Sequence, residues 1–174
     1  MKLRLVSKNG GKERLTREQL KLVRAFTTWV LKKFVSDRLA DEVSIRLCFD
    51  GHLLEKERDL GQSIWEDRSH RPREFTVVLD ATVEFQNIMH TLAHELTHVK
   101  QWVLGEFFQR ARWNNGDFVY RGETYDSTVM NYYDLPWEVE AEGRSMGLLR
   151  QWIKETGQAN SSWVKTKISF DTFA

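Results

Sequence analysis

Hydrophobic residues recur along this chain with two different periods, and the switches between them mark out its elements. Between residues 16 and 36, Leu20, Val23, Phe26, Val30 and Phe34 fall three and four apart, which gathers them on one face of a helix. Thr16 followed three residues later by Gln19 has the form of a capping box and predicts where that helix begins. The period then drops to two. Val43, Ile45, Leu47 and Phe49 alternate through 43–49, and Phe75, Val77 and Leu79 through 74–80, predicting two strands. "KLRLV" near the start predicts another short strand. Residues 50–73 are polar and irregular, with at most a weak strand near Ile64 and Trp65.

A helical period returns over 83–104. At about 100° per residue, Phe85, Ile88, Leu92, Leu96, Val99 and Val103 gather on one side, and Asn87, His90, Thr91, His94, His98 and Gln101 face the other. In the turn-rich stretch that follows, Arg121-Gly122 is placed to turn a hairpin within 117–126. Pro136 suits the first position of a last helix, running to about Glu155 before Gly157. Helix, strands, helix, hairpin, helix is an α+β order. Its expected form is an N-terminal helix and a short, mostly antiparallel sheet packed on the 83–104 helix, as one domain over residues 1–174.

Composition narrows the possible functions. A net charge of +1 gives no electrostatic reason to bind nucleic acid or a membrane. Lys2, Arg4, Lys8, Lys12 and Arg14 lack interleaved aromatics and read as solvated surface. A lone cysteine, Cys48, excludes an internal disulfide and a cysteine-rich zinc site, and its strand-like surroundings suit a small core residue. Nothing approaches the ~20 apolar residues of a membrane span, and "MKLRLVSKNG" has no leader-like apolar run, so the expected location is cytoplasmic. The seven tryptophans are expected in packing.

The chemistry lies on the polar side of the 83–104 helix. His94-Glu95-Leu96-Thr97-His98 is an HExxH motif. Histidines at i and i+4 stand one turn apart on one face, so both imidazoles can meet one ion, and zinc accepts neutral imidazole nitrogens. Glu95 beside them is placed to take a proton from water activated by that ion. His90 extends the row but lies about 12 Å from His98 along the axis, too far for the same ion. A reactive zinc site needs a third protein ligand. The extended pattern, with glycine and then histidine after HExxH, fails at Gln101 and Leu104, and no histidine follows His98. His52 and His70 have no partner spacing and read as surface residues. A carboxylate is therefore expected.

"LPWEVEAEG", residues 135–143, offers Glu138, Glu140 and Glu142. On a helical wheel Glu138 falls near the middle of the apolar stripe and Glu142 about 40° away, while Glu140 lies about 200° round with Arg144. Acids inside an apolar stripe are costly unless a cation meets them. Glu138 is therefore the expected third ligand and Glu142 the acceptor of a hydrogen bond from a ligating histidine's outer nitrogen. Glu140 is expected on the solvent face, paired with Arg144; it becomes the ligand if the helix begins irregularly.

With these residues in place, the chain resembles the zincin metallopeptidases, and among them the gluzincin branch. "HELTH" resembles that family's zinc-binding helix, and "EVEAE" its downstream Glu-x-x-x-Asp helix, with glutamate here where aspartate is usual. "HELTHVKQW" followed by "YYDLPWEVEA" also looks like short HExxH proteins of phages and environmental bacteria. The resemblance covers about 83–153. It implies a small zincin-like fold, zinc held by His94, His98 and Glu138, Glu95 as general base, Glu142 in support, and a peptide or protein substrate. It also implies a sheet edge that holds extended peptide, for which "EFTVVLD" is the expected strand. Tyr125, Tyr132 and Tyr133 are the candidates to stabilise an oxyanion. A non-catalytic module that binds zinc or a partner, and an amidase acting on other amides, share these residues and stay open.

Overall fold

The structure, a computed structural model, describes residues 1–67, 69–109 and 117–164. In chain order it has strand β1 (Lys2–Lys8), helix α1 (Arg17–Phe34), helix α2 (Asp37–Glu42), strand β2 (Ser44–Asp50), short helix α3 (Leu53–Glu57), strands β3 (Gly61–Trp65) and β4 (Glu74–Asp80), helix α4 (Phe85–Leu104), strands β5 (Phe107–Gln109), β6 (Asp117–Tyr120) and β7 (Glu123–Asp126), and helix α5 (Pro136–Glu155). The α+β class is as expected. Thr16 and Gln19 cap α1 reciprocally: the Thr16 hydroxyl accepts from the Gln19 N–H at 3.1 Å, and the Gln19 amide oxygen accepts from the Thr16 N–H at 2.8 Å.

The sheet packed on α4 is not mostly antiparallel. Its order is β1-β2-β4-β3, and β1, β2 and β4 run parallel; only β3 is antiparallel to its neighbour. Helices α1 and α2 carry the chain back from the end of β1, so β2 enters in the same direction. Between β2 and β4 the return leg is β3 itself. "EFTVVLD" is consequently an inner strand, buried on both faces: Phe75, Val77 and Leu79 point to the main core, and Thr76 and Val78 are covered too. The edge beside α4 is β3, the weak strand of the sequence.

One continuous core joins α1 (Val23, Phe26, Val30), β2 (Ile45, Leu47, Phe49), β4, the apolar side of α4 and the inner side of α5 (Leu149, Trp152, Ile153). Cys48 is buried on the other sheet face against Leu53 and Val78, where burial pushes its thiol pKa up. Helix α4 ends at Gly105, whose φ of 70° is the left-handed conformation that closes a helix. The chain then enters the antiparallel sheet β5-β6-β7, in which Arg121 (φ 49°) and Gly122 (φ 89°) make the tight turn. Pro136 opens α5, which packs along α4. Among the described residues no helix is long and apolar enough to cross a membrane.

Candidate metal centre

Helices α4 and α5 bring three side chains to a point. His94 Nε2 and His98 Nε2 are 3.1 Å apart, and Glu138 Oε2 lies 3.3 Å from the first and 3.4 Å from the second. Metal–ligand bonds of about 2.0–2.1 Å in a tetrahedral zinc shell put ligand atoms about 3.3 Å apart, so these residues fit such an ion in donor type and spacing. The electrostatics agree. Burial pushes the Glu138 carboxyl pKa up, but hydrogen bonds and charge from His94, His98 and Tyr132 outweigh it and hold it well below the usual range. Burial disfavours the His98 imidazolium, yet Glu138 and the nearby Glu95 charge raise its pKa above the ordinary value. The cluster favours positive charge beside Glu138, from a protonated histidine or a bound cation.

Glu95 sits beside the cluster, only 5% exposed, and burial raises its pKa against the opposing charges of His98 and His94 and a hydrogen bond with Ser63. Ser63 belongs to β3, which runs close over α4. A Cβ on Gly61 would lie 2.5 Å from Thr91 Cγ2 and 3.0 Å from Glu95 Oε1, so glycine is what admits the strand. A cleft of about 360 Å3 opens here between β3, α4 and α5. His94, His98, Glu138 and Glu95 line it together with an aromatic wall: Trp65 and Trp102 lie 4.0 Å apart between centroids, and Phe107 bridges Trp102 to Trp137 at 4.6 and 4.7 Å.

The three acids of α5 separate, though not as the wheel divides them. Glu138 is buried and in the cluster. Glu142 reaches His94 Nδ1 at 3.5 Å, as a supporting acceptor would, but its side chain is exposed rather than inward. Glu140 keeps its expected pair with Arg144 (2.8 Å), yet it is not on the solvent face. Its side chain is 10% exposed and also accepts from Lys100 Nζ (2.9 Å), Gln101 Nε2 (3.0 Å), the Tyr120 hydroxyl (2.8 Å) and Arg121 Nη2 (3.0 Å). Burial pushes its carboxyl up, but the bonds from Lys100, Gln101 and Tyr120 bring it down to about 2. The buried stripe is turned toward Trp137, Ala141 and Ser145, leaving Val139 exposed, because the hairpin β6–β7 covers the flank where Glu140 lies.

Of the three tyrosines only Tyr132 reaches the centre: its hydroxyl donates to Glu138 Oε2 at 2.7 Å from the 3-10 turn ahead of α5. Tyr125 donates to Glu123, and Tyr133 is exposed against the edge of Tyr132. His90 bonds to the Ser145 hydroxyl at 2.8 Å and stays outside the cluster; burial lowers its pKa. His52 pairs with exposed Glu55, and His70 is exposed beside Phe108. The motif reading missed Ser63, Gly61, Lys100 and Tyr120, and placed Gln101 on the polar face with the histidines, and at a failed position of the extended motif, without giving it a role. Gln101 had a signal, since at i+3 from His98 it shares that ligand's face. The others are brought in by long-range pairing. No protein-family model, curated protein or solved structure matches the chain.

Proposed function

We propose that this chain is a zinc-dependent metallopeptidase of zincin-like, gluzincin-related architecture. The observation that carries the reading is the triangle of His94, His98 and Glu138 on the wall of an open cleft, with the buried Glu95 carboxylate beside it. Three protein ligands facing open space is the pattern of a reactive zinc site, whereas a structural site is closed by a fourth. His94, His98 and Glu138 would hold the ion. Zinc in that position supplies Lewis acidity, making water easier to deprotonate and a carbonyl easier to attack. Glu95 accepts the proton of the attacking water and passes it to the leaving amine.

The rest of the cleft serves a peptide. Strand β3 pairs only with β4 among the described residues. An extended substrate adding to its free edge would run past the cluster, held by main-chain hydrogen bonds. The aromatic wall suits an apolar side chain of that substrate. Tyr132, whose hydroxyl donates to Glu138 Oε2 in the cluster, would be the donor to an oxyanion formed there.

The test compares wild type with two variants, by bound zinc and by cleavage of a broad peptide library. Glu95→Gln should keep zinc and lose hydrolysis, and His94→Ala should lose both. Full activity in Glu95→Gln rejects the mechanism, and unchanged zinc in His94→Ala rejects the ligand set. Zinc without peptide cleavage in wild type would favour the binding module, or the amidase if other amides are cut.

A further inference from the structure

We propose that Gln101 is a positioning residue that fixes the tautomer of His98, and that Glu140 fixes Gln101. The inference rests on the metal reading for its purpose but on hydrogen-bond geometry for its content. His98 Nδ1 lies 2.9 Å from Gln101 Oε1. Gln101 is fully buried, and its amide nitrogen lies 3.0 Å from both the Trp137 carbonyl oxygen and Glu140 Oε2. Both of those neighbours only accept. The amide therefore has one satisfactory orientation, with NH2 toward α5 and oxygen toward His98; flipped, it would set an oxygen against two oxygens.

An amide oxygen can only accept, and Gln101 Oε1 is closer to Nδ1 (2.9 Å) than Glu138 Oε2 is to Nε2 (3.4 Å), so the proton of neutral His98 is held on Nδ1 and the Nε2 lone pair faces His94 and Glu138. That is the form a cation requires, and the partner of a ligating histidine's outer nitrogen sets it. Glu140 cannot turn away, because Lys100, Arg121 and Arg144 hold its other oxygen. The order reaches from the β6–β7 turn through Glu140 and Gln101 to the ligand atom. Glu140, read from the sequence as a surface acid or an alternative ligand, instead acts through Gln101.

Nitrogen-15 NMR of the histidine rings reads the tautomer directly in metal-free protein, at a pH above the His98 titration. Wild type should show His98 protonated on Nδ1. Gln101→Leu should shift the population toward Nε2–H and weaken zinc binding, measured by chelator competition, by about 10–100-fold. A wild-type His98 protonated on Nε2 overturns the proposal whether or not zinc binds, and so does a folded Gln101→Leu with unchanged tautomer and affinity. If Gln101→Leu does not fold, the wild-type tautomer still decides. Wild type that shows Nδ1–H but binds no zinc overturns the metal reading and leaves the tautomer assignment standing.

Discussion

Tyr132 poses the sharpest question at the scale of single residues. Its hydroxyl donates to Glu138 Oε2, the oxygen that faces both histidines, and burial together with that bond raises its pKa. The residue as a whole is 57% exposed, so it contributes little to the core. A donor at this position can orient the ligand carboxylate, or turn to a substrate oxygen as negative charge develops there. Tyr132→Phe should leave the melting temperature nearly unchanged and lower kcat about 100-fold, as loss of an oxyanion donor does. Unchanged kcat, measured beside zinc content, would restrict the hydroxyl to orienting Glu138. Trp137 works in a different way: its ring packs against Phe107 at 4.7 Å while its carbonyl receives Gln101, so one residue both fills the aromatic wall and helps set the site.

At the scale of elements, β3 and α5 carry most of what the sequence did not disclose. Helices α1 and α4, strand β4 and the turn at Arg121-Gly122 were legible because their signals are local: a capping box, a 3.6-residue period, an alternating run, a glycine suited to positive φ. "GQSIW" has little strand propensity of its own, and its pairing with β4 and its place beside α4 come from tertiary structure. Parallel pairing of β1 with β2 depends on where two helices return the chain, which no alternation encodes. HExxH was readable, and Glu138 followed from the cost of an acid in an apolar stripe. Glu140 was misplaced because the wheel assumed one covering neighbour, whereas α5 has both α4 and the β6–β7 hairpin. The fit of β3 gives an element-scale prediction. Gly61→Ala should push the strand from Thr91 and Glu95, costing about 1–3 kcal/mol in a urea titration and reducing peptide hydrolysis through the displaced Glu95. Unaltered stability and activity would mean the Thr91 methyl yields without moving the strand.

For the whole molecule, Glu140 ties α4, α5 and the β6–β7 turn through one carboxylate, and this makes the fold sensitive to acid. Its pKa is about 2 in the folded chain against an ordinary 4.5. The depressed folded value means that the stabilisation is complete above about pH 4.5 and is lost as pH falls from there toward about 2. Glu140→Gln should flatten the fall of the urea midpoint across that window and lower stability at neutral pH by about 3 kcal/mol, since Lys100 stays buried with less compensation. A pH profile parallel to that of wild type would show that the acid sensitivity arises elsewhere. The tryptophan pair in the cleft gives the molecule a further property. Trp65 rides on the edge strand and Trp102 on the helix that bears the histidines, with rings 4.0 Å apart and tilted by 31°. Rings this close couple their electronic transitions, so near-ultraviolet circular dichroism carries a built-in optical signal for how closely the strand rests on the helix.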